Sequence, residues 1–188
     1  MTHDSKIWSK YAEEYDPVKI GSIDGTDTVP HDRAIIRALN SEYTPNKLVR
    51  GNPECTVFVG RLNPRTTQET IEKEFSKCGR VVYCRLVREA VTGRSRRYAF
   101  VEFSRPENAE RALRLMHREF VDGAELLVER EAERRLSGWR PRRLGGGFGG
   151  HRTSGQLRFG GVDRPFQKPI LLETTRPFFP DSRAVHHS

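Results

Sequence analysis

The chain has 188 residues, 35% hydrophobic and 31% charged, with a mean hydropathy of -0.70, which is lean for a core of that length and leaves no apolar run long enough to cross a bilayer. Lys and Arg number 33 against 25 Asp and Glu, a formal net charge of +8, and this balance favours a polyanionic partner. Three cysteines, Cys55, Cys78 and Cys84, with no CxxC spacing, suggest neither a disulfide framework nor a zinc site and fit a reducing compartment.

The charge is unevenly spread: residues 1–54 carry 7 basic and 9 acidic side chains, residues 55–130 carry 15 and 11, and residues 131–188 carry 11 and 5. Of the basic residues 26 are Arg, the side chain that pairs bidentately with phosphate and stacks on bases. The start, "MTHDSKIWSK", has no apolar signal region, so a soluble intracellular protein is expected. Residues 1–54 form an irregular extension punctuated by Pro and Gly, with one short helix near 32–40 in "DRAIIRAL". Such a segment has no core of its own, and it reads either as a flexible leader or as a segment that orders on a partner.

From Cys55 the pattern changes. "CTVFVGRL" is apolar and β-branched, a strand. "TTQETIEKEFSKCG" opens with Thr66 and Glu69 at capping-box spacing, carries Ile71 and Phe75 one turn apart, and stops at Gly79, which predicts a helix. "VVYCRLV" (81–87) and "RRYAFVEF" (96–103) read as strands around a turn at Thr92 and Gly93. In "SRPENAERALRLM", Ser104 and Glu107 repeat the capping-box spacing ahead of an apolar stripe, Ala109, Ala112, Leu113 and Met116; His117 ends that helix. "ELLVER" (125–130) is the fourth strand. The order β-α-β-β-α-β in residues 55–130 predicts an α+β, ferredoxin-like sandwich whose two helices cover one sheet face.

Alternation along the third strand then puts Ala99, Val101 and Phe103 in the core and leaves Tyr98 and Phe100 on the bare face, with Phe58 beside them from the first strand. Tyr83, Arg85, Leu127 and Glu129 are expected on the same face. Three coplanar apolar rings without cover would be an unusual surface, and unpaired bases stack on such rings. The competing reading covers the rings with the protein's own flanks or with a protein partner.

After Arg130 a short helix is expected, followed by an Arg/Gly-rich basic tail to residue 188. Nine of the 16 Gly fall between Gly138 and Gly161, which argues against a second packed domain. "GGGFGG" has Gly145, Gly147 and Gly150 at dinucleotide-fingerprint spacing, but neither a strand before it nor a helix after it. Arg140, Arg142 and Arg143, beside Trp139, are the better candidates for phosphate contact. His3, His31, His117, His151, His186 and His187 show no spacing suited to a metal or a triad, and Asp24 and Asp27 lack that of a calcium loop. No enzyme and no cofactor is expected.

Residues Arg96 to Phe103 resemble the first ribonucleoprotein motif of the RNA recognition motif, matching it at Arg96, Tyr98, Ala99, Phe100, Val101 and Phe103 and departing at Arg97, where the motif has Gly. "VFVGRL" is similar to the companion motif, with Arg61 in place of the usual Asn. Three flanking stretches, "YDPVKIGSIDGTDTVPHDRA", "GWRPRRLGGGFGG" and "SGQLRFGGVDRPFQKPI", resemble a family of spliceosomal small nuclear ribonucleoprotein proteins, the first and third its minor-spliceosome branch alone, over roughly residues 8 to 170. The resemblance implies a non-enzymatic nuclear subunit that binds a stem-loop of the U-eleven small nuclear RNA. It also implies contacts with other proteins of that particle and a role in recognising the 5′ splice site of minor-class introns. RNA contacts then fall to Phe58, Tyr98, Phe100, Arg61, Tyr83, Arg85, Arg96 and Arg97, with Arg140, Arg142 and Arg143 on the phosphates. The chain ends at "RPFFPDSRAVHHS" without the Arg/Ser/Glu-rich tail that the resemblance leads one to expect.

Overall fold

A computed structural model of the chain describes residues 8–45 and 49–169. The terminal stretch "RPFFPDSRAVHHS", with His186 and His187, and His3 at the other end lie outside the described residues. Ten elements are labelled in chain order: α1 (Pro17–Ile20), α2 (Arg33–Asn40), β1 (Thr56–Gly60), α3 (Gln68–Phe75), β2 (Val81–Arg88), β3 (Ser95–Phe103), α4 (Pro106–Met116), β4 (Phe120–Val121), β5 (Ala124–Glu125) and β6 (Leu127–Arg130).

Four strands make one sheet in the order β2-β3-β1-β6, every neighbour antiparallel. α3 and α4 pack on one face. Their apolar stripes, Ile71 and Phe75 from α3 and Ala109, Ala112, Leu113 and Met116 from α4, meet Val57, Val59, Ala99, Val101, Phe103 and Val128 in a single core. Each buried Val or Phe is worth about 1.5–3 kcal/mol relative to exposure, so the period-two and helical patterns together dictate which sheet face is sealed.

Several local expectations are corrected. The side-chain cap of α3 is Thr67, whose hydroxyl accepts from the Thr70 N–H at 3.3 Å. The adjacent Thr66 instead donates to the Asp122 carboxylate at 2.7 Å. α4 begins after Arg105, with Pro106 in its first turn and no side-chain cap, because Ser104 lies one residue too early. The predicted fourth strand is divided: Ala124–Glu125 pairs with Phe120–Val121 in a small hairpin, and only Leu127–Arg130 joins the main sheet. The turn at Asp122 and Gly123, with φ of 50° and 74°, closes that hairpin, and the break falls at Leu126, whose backbone bonds to Arg118 and Glu119.

The largest departure lies in the flanks. After Arg130 the chain makes turns in place of the expected short helix, and the Gly-rich stretch packs against residues 8–41. Backbone hydrogen bonds tie Tyr15 to Ser137, Phe159 to Ile20, Ala12 to Gly160 and Phe166 to Lys10. Tyr15, Trp139 and Phe148 form an aromatic cluster with centroids 4.9–5.7 Å apart, and the Tyr15 hydroxyl donates to the Gly147 carbonyl at 2.6 Å. Ile20, Ile35 and Ala38 are fully buried. Neither segment has a core alone; they share one. Glycine serves close approach here, since a Cβ on Gly145, at φ 95°, would collide with the Ala34 carbonyl.

Arg158, 1% exposed, holds the two segments together. Its guanidinium donates to Asp32 at 2.9 and 3.2 Å and to the Gly145 carbonyl at 2.9 and 3.2 Å. Asp32 also caps α2 through the Ile35 N–H at 2.7 Å. Burial works against the Asp32 carboxylate, but the Arg158 pair and the Ile35 N–H outweigh it and hold its pKa below the ordinary value.

Candidate nucleic-acid interface

The face opposite the helices carries the predicted rings. Register places Arg85, Phe100, Phe58 and Glu129 side by side across β2, β3, β1 and β6. Phe58, Tyr98 and Phe100 are each partly exposed, with centroids 5.6, 5.7 and 6.2 Å apart. The rings are not coplanar: interplanar angles of 33°, 66° and 86° make a tilted, edge-to-face cluster, the arrangement aromatic quadrupoles favour over parallel plates. Each ring offers part of one face. Tyr83 and Arg85 on β2 are exposed on the same side.

The arginines divide by what holds them. Arg96 is exposed, its guanidinium 5.8 Å from the Tyr98 ring centroid, close enough to stack on a base that Tyr98 supports. Arg97 stands where the motif has Gly, although the chain turns left-handed there, at φ 66°, a conformation that Gly adopts more readily. Its Nε donates to the Leu62 carbonyl at 2.8 Å, a bond that offsets the strain. Arg61, also left-handed at φ 59°, pairs with Asp163 at 3.1 Å.

Arg140 and Arg142 do not sit where phosphate contact was expected. Arg140 donates to the carbonyls of Ala38 and Ser41 at 3.3 and 3.2 Å. Arg142 is half-buried and donates to those of Gln156 and Phe148 at 2.8 and 2.7 Å. Gly-rich loops leave backbone carbonyls without ladder partners, and buried carbonyls need donors, so the arginines of this segment are drawn inward. Arg143 is the exception, exposed and stacked over Tyr43 at 5.7 Å.

Glu129, expected on the open face, is covered by residues 161–163. Its carboxylate accepts from the N–H groups of Val162 and Asp163 at 2.8 and 3.1 Å, and burial pushes its pKa up to about 7. Asp163 in turn lies 3.7 Å from His117 Nε2, which is buried and has no hydrogen-bond partner. Burial lowers the His117 pKa against the pull of Asp163, while its Nδ1 accepts the Val128 N–H at 3.1 Å. The flank thus closes the β6 side of the face and leaves the rings open.

On the β2–β3 side the face deepens into a hollow of about 770 Å³, lined by Tyr83, Arg85, Tyr98 and Phe100 and also by Tyr43. No spacing in the sequence points to Tyr43. Its hydroxyl donates at 2.6 Å to Glu133, 90 residues further on, a pairing that only the folded flanks create. Among the described residues there is no cluster of His, Cys, Asp and Glu able to hold a metal ion.

The family model of the RNA recognition motif matches residues 57–127. The U11/U12 small nuclear ribonucleoprotein 35 kDa protein of Danio rerio is 55% identical over 176 residues, covering 94% of this chain and 85% of its own length. Its Xenopus laevis counterpart is 52% identical, covering 92% of this chain and 62% of its own length. The U1 small nuclear ribonucleoprotein 70 kDa of Arabidopsis thaliana is more distant, 34% identical over 66% of this chain and 30% of its own length. With similarity that runs through both flanks as well as the sheet, the chain belongs to the family of U11/U12 small nuclear ribonucleoprotein 35 kDa proteins, non-enzymatic RNA-binding proteins built around an RNA recognition motif.

Proposed function

We propose that this chain is the nuclear subunit that holds a small nuclear RNA stem-loop within a minor-spliceosome particle, in contact with other proteins of that particle, and supports recognition of the 5′ splice site of minor-class introns. The observation that carries the reading is the trio Phe58, Tyr98 and Phe100, partly exposed on the part of the sheet face that the flank leaves open, in a chain whose relatives are named for the U11/U12 particle. Loop bases stack on the three rings, and Arg85, Arg96 and Arg143 meet the backbone phosphates. Arg61 and Arg97 hold the shape of the face, since both are already bonded within the protein.

A face given over to polypeptide has one observation in its favour, the cover of Glu129 by residues 161–163. That cover stops short of the rings, which favours RNA.

Binding of a hairpin RNA to the full chain, measured over a range of salt concentrations, tests the reading. Tyr98→Ala or Phe100→Ala should each cost about 1–3 kcal/mol, roughly five- to 150-fold in Kd, with the salt slope unchanged. Arg96→Gln should lower the slope by about one. Wild-type affinity in both ring variants would sink the stacking role. Cross-linking in nuclear extract, followed by sequencing of the attached RNA, then checks the particle: U11 RNA is expected, and recovery of U1 RNA or bulk messenger RNA alone would overturn the assignment.

A further inference from the structure

Tyr43 belongs to none of the RNA recognition motif's elements, yet it borders the same hollow as Tyr83, Tyr98 and Phe100. It lies close enough to Tyr98 for that phenol to act on its ionisation, and burial together with the Glu133 bond pushes its pKa up to about 12. The ring is therefore a neutral phenol across the physiological range. Its orientation is held from two sides: the hydroxyl donates to Glu133 Oε1 at 2.6 Å, and the Arg143 guanidinium lies over the ring at 5.7 Å. Glu133 and Arg143 both come from the segment after β6, and Tyr43 from the segment before β1, so the wall exists only when the two flanks have folded together.

A ring locked in this way loses little freedom when a ligand packs on it, which is the condition under which an aromatic contact contributes most. The hollow beside it, about 770 Å³, lies within the range of sites that enclose small organic ligands, about 300–1,000 Å³, ample for a single nucleotide. The hollow's own lining carries Glu102, Glu131 and Glu133 beside Arg50, Arg85 and Arg134, so the phosphate is better met at its rim, where Arg143, exposed and stacked over the Tyr43 ring, supplies positive charge.

We propose that Tyr43 and Arg143 form an additional nucleotide subsite beyond the sheet: one unpaired nucleotide, continuous with the strand stacked on the β1 and β3 rings, packs its base against Tyr43 and sets its phosphate on Arg143. This rests on the RNA-binding reading of the sheet and extends its footprint onto the flanks. The family's sheet rings bind bases from the motif itself, whereas this subsite depends on the pairing of residues 43, 133 and 143.

The test uses the full chain and two RNA hairpins, one whose loop bears all four bases and one with the same stem and a progressively shortened loop. Tyr43→Ala should weaken binding of the longer loop about tenfold, whereas Tyr43→Phe, which keeps the ring but loses the Glu133 bond, should weaken it by less. Arg143→Gln should lower the salt slope by about one. On the shortened loop the penalty of Tyr43→Ala should vanish while that of Tyr98→Ala persists. Ultraviolet cross-linking with peptide mapping should place a loop nucleotide on Tyr43. Wild-type affinity of Tyr43→Ala alongside a weakened Tyr98→Ala overturns the subsite and leaves the sheet reading standing. A Tyr43→Ala penalty that is equal on both loops also overturns it, because the ring then acts only by supporting the flank. Undiminished binding by both Tyr43→Ala and Tyr98→Ala overturns both readings.

Discussion

Glu129 occupies a position where a carboxylate is costly to ionise. It is 6% exposed, and burial outweighs the two backbone N–H groups that favour its charged form, with Asp163 nearby adding to the rise and Arg130 opposing it. Its pKa thus moves from 4.5 to about 7, and between those values the folded chain retains a proton that the unfolded chain has released. The stability gained from this group is complete below the unfolded pKa and is lost as pH rises through about 7. The urea midpoint of the wild type should therefore fall between pH 5 and pH 8. Glu129→Gln should flatten that fall by on the order of 2 to 3 kcal/mol; an identical pH profile in the variant would show that another group is responsible. Nothing in the strand pattern gives this away, since Glu129 is cast as solvent-facing until residue 161 returns to cover it. Phe58, Tyr98 and Phe100 were legible because alternation along a strand is a local property. Arg140 and Arg142 were not, because an arginine's choice between phosphate and carbonyl is settled by tertiary neighbours.

At the scale of single elements, the helices were predicted by their apolar spacing and mislocated at their caps. Two adjacent threonines precede α3, and only the backbone angle decides which hydroxyl faces the helix; Thr67, at φ -93° and ψ 162°, takes that role. α4 has no side-chain cap at all, since the exposed Arg105 occupies the N-cap position. Its positive charge also lies against the positive end of the helix dipole. Arg105→Asp supplies both an acceptor and the favourable charge, and should stabilise the protein by about 1 kcal/mol. Thermal or urea denaturation reads the gain, and an unchanged midpoint would mean that the first turn of α4 is already satisfied by solvent. The broken fourth strand has a similar lesson. "ELLVER" carries the right residues, but Leu126 is drawn out of the ladder to satisfy backbone groups of Arg118 and Glu119, and a pattern of side chains does not show where the main chain bonds.

For the molecule as a whole, the sandwich of residues 55–130 could be read from residue order, whereas the union of the flanks could not. Glycine frequency and basic charge describe a solvated tail equally well, and Arg158 meets Asp32 across 126 residues of sequence. Removing the buried guanidinium should leave the Asp32 carboxylate without its partner, a loss of about 3–5 kcal/mol. Arg158→Ala should thus unfold the annex while the sheet and its two helices persist. Hydrogen exchange would show it: the amides of Ala12, Tyr15, Phe159 and Phe166, bonded across the flanks, should lose protection, and those of Val57, Val59 and Val101 should keep theirs. Equal loss in both sets would make the molecule one cooperative unit.

The clasp between Asp32 and Arg158 also imposes an order of events on synthesis. The leader emerges first from the ribosome, yet Trp139, against which Tyr15 packs, and Arg158, which holds Asp32, are made more than a hundred residues later. The sheet and its helices can close in that interval, because the buried residues of their core all lie between Val57 and Val128 and are already made. A released chain truncated shortly after Arg130 should therefore expose residues 8–44 to protease, and the full chain should shield them.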